Sequence, residues 1–415
     1  MGRAVVAVSF VAIGLGTAPA FLIGFLGPVL QADLGLSRTA IGVLIGVMFG
    51  ATGLGCVLAG RVTESIGARW SVVLDKALLM AALTLPLLAP GFPALLACVV
   101  LAGIGYGLVN VATNVAVAAA LPPERHGVGL ATKTAGVPGV VTLTSLVVPA
   151  VGASYGWRPV FLATIAVAAA VGVAAALTLP DARRSRTAGP RVPLPAGFWR
   201  FTLAATLLIG GSQPIYSWAV PYLHEATGAS LPLAGVLTAV ASLAALVPML
   251  GVARAADRLG VARRLPMVVA LTAVVAAGEG LLAGLGGNVV AGAAGLVLAT
   301  GAQLGAVSLM HAAVVAAAPE AVGRASAMTM VGFYTGALFS APLFGLVVDS
   351  TGSYRVAWAE CTALVCAAAA CFWWCRSIGR LTASPEVPHR SPRTTLGADP
   401  AVHRDDLSRD HRAGR

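Results

Sequence analysis

Charge is scarce in this chain. Only 10% of its 415 residues are Asp, Glu, Lys or Arg, against roughly 25% in an ordinary soluble domain. A chain so poor in charge cannot cover a water-facing surface, which excludes a free-standing soluble globule. Acids are scarcer still, 16 against 27 Lys and Arg, for a net charge of +11. The basic residues sit in short clusters between apolar runs and near the C-terminus, without a basic face interleaved with aromatics. That pattern excludes a nucleic-acid surface. Of the six Cys, four (Cys361, Cys366, Cys371 and Cys375) share one apolar run. No His or second Cys group accompanies them at zinc-type spacing, so they read as small hydrophobes in a helix and no metal site is expected. No His/Glu helix motif or Ser–His pair is present to carry an intramembrane enzyme. The run Gly103-Ile104-Gly105-Tyr106-Gly107 lacks the preceding strand of a dinucleotide loop, so it reads as helix packing and no cofactor is expected.

What is present is apolar length. Hydrophobic residues make up 58% of the chain, and the mean hydropathy is +0.88. A bilayer core of about 30 Å needs about 20 apolar residues in a helix. Twelve such stretches can be read: 4–30, 39–60, 70–89, 92–121, 128–153 and 157–179, then 198–223, 232–253, 265–285, 288–318, 322–348 and 355–376. The first, with Arg3 and Ala18-Pro19-Ala20, has the look of a cleavable leader. It runs on to Leu30, long enough to span, and the internal repeat below requires it, so it reads as the first helix. Residues 180–197 carry Arg183, Arg184, Arg186 and Arg191 with four Pro and read as a solvated basic linker. The tail from 377 to 415 lacks apolar periodicity and is expected to be disordered.

With the N-terminus inside, only Arg38, Arg158 and Arg355 fall outside, while Lys76 and Lys133 lie within helices. The remaining Lys and Arg are on the inner side. This bias predicts both termini in the cytoplasm.

The two halves repeat at a nearly constant separation, 193 positions at first and three or four more further on. Pro28 matches Pro221, Gly42 matches Gly235, and Glu64-Ser65-Ile66-Gly67 matches Asp257-Arg258-Leu259-Gly260. Further on, Pro123-Glu124 matches Pro319-Glu320 and Trp157-Arg158 falls on Tyr354-Arg355. A match across six helices predicts parallel repeats: two six-helix bundles, 1–179 and 198–376, about a pseudo-two-fold axis along the membrane normal.

The loop after the second span, Gly60-Arg61-Val62-Thr63-Glu64-Ser65-Ile66-Gly67-Ala68-Arg69, resembles the loop signature of the major facilitator superfamily, G-x-x-x-D-R-x-G-R-R. Glu64 stands for the acid, and Ser65 and Ala68 replace two basic residues. The second copy, Asp257 to Arg264, keeps more of the charge. The resemblance implies an all-α membrane protein of twelve helices that moves a small molecule by alternating access, as a monomer in the plasma membrane. It also implies gating by Arg61, Glu64, Gly67, Arg69, Asp257, Arg258 and Gly260, which would latch the cytoplasmic ends of the halves.

Helices 1, 4, 7 and 10 of that family line a central cavity. In this chain helix 4 carries Tyr106, Asn110 and Asn114, four apart and so on one face. Helix 7 has Gln213-Pro214 and Tyr216, where Gly210-Gly211 and the Pro predict a kinked or opened helix. Helix 10 has Gln303 and His311 on one face. Lys133 in helix 5 is costly at membrane depth, about 2.5–3.5 kcal/mol on insertion scales. Facing the cavity it would attract an anion; snorkelling, or pairing with Asp75, is the alternative. Asp75 and Lys76 are adjacent and on a helix should not face each other, so each calls for another partner. The run Lys133-Thr134-Ala135-Gly136-Val137-Pro138-Gly139 resembles a pattern in cyanate-transporter-like members. Gly136, Pro138 and Gly139 only partly match the antiporter signature of efflux members. A small organic anion is therefore the leading cargo class, with multidrug or metabolite efflux by proton antiport as the alternative. Helices 1 and 4 hold no central acid, so coupling to a proton or ion and facilitated diffusion both stay open. Glu279 and Glu360 fall outside the expected cavity and read as packing or interface charges. Gly42, Gly46 and Gly50 give helix 2 a smooth face for close approach.

Overall fold

The computed structural model describes residues 2–183, 192–245, 248, 251, 252, 255, 258, 259 and 261–382. Asp257, Gly260, most of the linker's Arg residues and the tail from 383 lie outside the described residues. Among the described residues every regular element is helical, and nine segments are long and apolar enough to cross a bilayer.

The first half contains α1 (Gly2–Phe25), α2 (Gly27–Leu34), α3 (Arg38–Leu88), α4 (Phe92–Ala120), α5 (His126–Thr134), α6 (Gly136–Tyr155) and α7 (Arg158–Thr178). The second contains α8 (Trp199–Ser212), α9 (Pro214–Ser217), α10 (Ala219–Glu225), α11 (Leu231–Ala244), α12 (Val261–Leu285), α13 (Val289–Ala317), α14 (Val322–Thr351) and α15 (Tyr354–Thr382). The last helix therefore continues past the end expected at 376.

Nine segments stand where twelve uninterrupted spans were expected, and each difference has a local cause. The 51 residues of α3 would make a straight rod of about 75 Å, more than twice the hydrocarbon thickness. Gly67, at φ 79° and ψ 166°, breaks it, so α3 holds two of the expected spans. The expected seventh span divides into α8, α9 and α10, broken at Gln213 and Trp218. The kink anticipated near Gln213-Pro214 falls at Trp218 (φ −110°, ψ 1°), while Gln213 keeps helical angles (φ −60°, ψ −34°) and the bond that Pro214 cannot donate is lost. The expected eighth begins as α11, and its continuation falls largely outside the described residues.

Helix starts follow ordinary capping chemistry. Ser37 Oγ accepts from the Ala40 amide at 3.1 Å, and Asn288 Oδ1 accepts from Val290 and Ala291 at 2.8 and 3.2 Å. Ser230 is the N-cap of α11 in the same way.

Packing within each half is extensive. α3 lies along α4 and α7, and α1 packs on α3, α4 and α6; α12 packs on α13 and α15, and α8 on α14 and α15. Contacts between the halves concentrate in two seams, α3 with α14 and α6 with α11. In the first seam a Cβ on Gly42 or Gly46 would strike the Ala341 or Leu338 carbonyl and the Pro342 ring. In the second, a Cβ on Gly235 would strike the Ser145 carbonyl and lie 3.0 Å from Pro149. The smooth glycine face of the second span is therefore used as anticipated.

The halves meet closely at the end opposite the N-terminus. Residues 12–25 of α1 and the α10 residues Ala219–Leu223 are buried there. Trp218, Tyr222, Phe344, Tyr354 and Trp358 form a ring cluster with centroids 4.8–6.1 Å apart. Edge and offset contacts of this kind add to the burial of large aromatic area. Towards the N-terminal side, by contrast, Val11, Leu203 and Val315 are about 40% exposed (39, 39 and 41%).

Candidate functional site

The four-residue spacing on α4 places Tyr106, Asn110 and Asn114 in one row. Tyr106 is buried against Gly16 of α1. Lower in the row, Lys133 Nζ at the end of α5 donates to Asn114 Oδ1 at 2.9 Å and to the Asn110 carbonyl at 3.4 Å. Lys133 is 1% exposed, so its charge is held inside the protein and does not snorkel to the interface. Among the described residues no carboxylate forms an ion pair with it.

The expected alternative partner, Asp75, is engaged elsewhere. Lys76 Nζ lies 2.7 Å from Asp75 Oδ2 and also donates to the Ala12 carbonyl at 2.8 Å. This corrects the reading that adjacent residues need separate partners. The long Lys stem curls back over its own turn, because in a buried site any available carboxylate is better than none.

Two residues not singled out in the sequence complete this cluster. Tyr334 of α14 places its hydroxyl 3.8 Å from Cys56 Sγ of α3. Cys56 Sγ also lies 3.8 Å from the Gly107 carbonyl. A polar group from the second half thus approaches α4 of the first through Cys56. The one signal in the sequence was a Tyr within the apolar run 322–348.

The second-half candidates form another group. Tyr216 donates to Gln303 Oε1 at 2.9 Å, and Gln303 Nε2 donates to Ser212 Oγ at 3.4 Å. Gln213 is buried at the helix break, its carbonyl accepting from Ser217 Oγ at 3.1 Å. His311 turns to the Val307 carbonyl of its own helix at 2.8 Å and to Met330 Sδ at 3.3 Å. Met330 and Tyr334 are one turn apart on α14, so this helix borders both groups. Among the described residues no hydrogen bond joins Lys133 to the second group. A cavity of about 580 Å³ opens between α3 and α14, with Cys56, Met330 and Tyr334 in its lining.

The loop residues are placed as follows. Gly67 is buried at the break in α3; the Ala68 amide donates to the Ala182 carbonyl at 2.7 Å and Arg69 Nε to the Leu179 carbonyl at 2.6 Å. The loop is therefore tied to the end of α7 in its own half. Arg61 and Arg258 are exposed, Glu64 is half-buried, and among the described residues none of them forms an ion pair. Ion pairs between halves stand at the other end. Arg38 donates to Glu225 through Nε at 2.9 Å and Nη2 at 2.5 Å, and its Nη1 lies 3.6 Å from Asp349. Tyr354 donates to the same Glu225 oxygen at 3.1 Å, and Thr39 to Asp349 at 2.7 Å. Neither cluster was legible as a unit in the sequence.

The sequence model of the Major Facilitator Superfamily matches residues 6–303 and, in a second match, 202–408. The chain belongs to the major facilitator superfamily. Members of this superfamily are membrane transporters, and the apolar helices described above make this one a multi-pass membrane protein. An uncharacterized MFS-type transporter of Bacillus subtilis (strain 168), YtbD, is 22% identical over 368 residues, 86% of this chain and 91% of that protein. Among solved structures, the nucleoside transporter NupG superposes with a TM-score of 0.72 at 13% identity, over 90% of this chain and 99% of NupG. The inward open xylose transporter XylE from E. coli superposes with a TM-score of 0.75 at 14% identity, over 90% and 96%. At such identities these likenesses establish the superfamily's fold and leave the cargo open.

Proposed function

We propose that this chain is a secondary carrier that moves a small organic anion across the plasma membrane by alternating access. The observation that carries the anion reading is Lys133: a buried ammonium held by two Asn oxygens and by no carboxylate among the described residues. A charge at membrane depth is costly unless neutralised. An anionic cargo would supply the missing counter-charge and leave with it. The resemblance of residues 133–139 to cyanate-transporter-like members accords with this class.

The framework is twelve spans in two six-helix bundles, 1–179 and 198–376, joined by the basic linker. The contacts support a pseudo-two-fold relation, because Gly42 meets Pro342 where its counterpart Gly235 meets Pro149. Closure by Arg38, Glu225 and Asp349 at one end, with exposed faces at the other, corresponds to a carrier open on the side of its termini. The positive-inside bias makes that side the cytoplasm. The row Tyr106, Asn110 and Asn114 and the group Gln213, Tyr216, Gln303 and His311 would then face the cargo from opposite halves. Arg61, Glu64, Arg69, Asp257 and Arg258 would latch the cytoplasmic ends in the opposite state.

Flux into proteoliposomes tests the reading. A panel of small carboxylates and inorganic anions should include at least one transported species, and Lys133→Gln should lower its uptake at least tenfold. Undiminished uptake of every anion by Lys133→Gln would overturn it.

A further inference from the structure

The seam between α3 and α14 is tight at Gly42 and Gly46 and opens beyond Gly50 into the 580 Å³ cavity. That volume lies within the roughly 300–1,000 Å³ occupied by small-molecule sites. Its walls are strongly apolar. Leu54, Val57 and Val331 line it with 56, 75 and 56% of their surface exposed. Its polar edge is confined to Cys56, Thr335 and Tyr334. Beyond Tyr334, Cys56 Sγ lies 3.8 Å from both its hydroxyl and the Gly107 carbonyl of α4, and further along α4 the Asn110 carbonyl and Asn114 Oδ1 accept from Lys133. The arrangement thus sets a buried cation behind the polar edge of an apolar trough.

We propose that the cargo is an amphiphilic anion, a single carboxylate or similar headgroup bearing an alkyl or aryl tail. The headgroup docks at Lys133, Asn114 and Tyr334, and the tail lies in the trough between α3 and α14. This rests on the anion reading above and narrows it. A polyhydroxylated cargo would need a hydrogen-bond partner for each hydroxyl, and the trough offers almost none. An inorganic anion would leave the trough unused. A tail makes use of both chemistries, and each methylene it buries strengthens binding by about 0.8 kcal/mol, roughly fourfold.

The full-length protein in nanodiscs, titrated with acetate, hexanoate and decanoate, tests the inference. Affinity should climb roughly fourfold per methylene until the trough is filled, and decanol, which lacks the charge, should not compete. The double variant Val57→Gln/Val331→Gln should collapse the ratio of decanoate to acetate affinity. In the parent chain decanoate, unlike acetate, should slow maleimide capture of Cys56, scored against Cys56→Ser. Affinity independent of chain length, or a ratio untouched by the double variant, would overturn the proposal and assign the trough to a bilayer lipid chain. The anion reading would survive that result if Lys133→Gln still weakened acetate and hexanoate binding. Unchanged binding of all three carboxylates by Lys133→Gln would remove both.

Discussion

The guanidinium of Arg38 grips Glu225 with two nitrogens, 2.9 Å from Nε and 2.5 Å from Nη2, and thereby ties the start of α3 to the end of α10. The bond crosses from one half of the chain to the other. Asp349, Tyr354 and Thr39 extend it into a network of five side chains. Arg38 is about one-third exposed (34%) and Glu225 less so (18%), so solvent screens the pair and its worth is at most about 1 kcal/mol.

Arg38→Ala should therefore raise the population open at that end by roughly fivefold, the equivalent of about 1 kcal/mol. Spin labels at Tyr155 and Leu285, exposed residues of the two halves at that end, would report the change as growth of the longer distance. An unchanged distance distribution would show that the network does not hold the closed state.

Asn114→Asp would place a permanent carboxylate where Lys133 now finds an amide oxygen 2.9 Å away. The internal ion pair should satisfy the amine without cargo, because charge-assisted hydrogen bonds are roughly twice as strong as neutral ones. Anion binding should fall at least tenfold while the thermal midpoint holds or rises. Retained affinity in a binding titration would mean that Lys133 is not where the cargo's charge resides.

Gly46→Leu should open the first seam, since its Cβ would meet the Leu338 carbonyl and the Pro342 ring. Overpacking of this kind costs about 1–3 kcal/mol. Gly235→Leu should act in the same direction on the second seam. Thermal unfolding in detergent would register both losses, and a neutral result for either would show that the helices can part there at no cost.

Gly67→Ala forces a side chain into φ 79°, ψ 166°, where its Cβ would meet Asp181. Such backbone strain costs about 1–3 kcal/mol. The thermal midpoint should drop and the hold of Ala68 and Arg69 on residues 179–182 should loosen, readable as faster amide exchange across 67–70.

What the sequence conveys is what depends on local spacing. Apolar length marked the spans, and the α3 glycines at four-residue intervals marked a face for close approach. Contacts that depend on how the halves dock stayed hidden. Tyr334 meets Cys56 across a sequence separation that no periodicity encodes. Arg38 looked like an exception to the charge bias, although it is a partner of Glu225. The Asp75–Lys76 pair was missed for the opposite reason: helix geometry argues against neighbours meeting, and burial overrides it.

The glycine ledge and the proline knob have a consequence for how such a chain could arise. Each half bears one ledge, Gly42 or Gly235, and one knob, Pro149 or Pro342, and every ledge receives the knob of the other half. A surface that carries both members of a complementary pair fits a copy of itself. The linked chain therefore has the logic of a homodimer written into one polypeptide, in which each seam repeats the fit of the other.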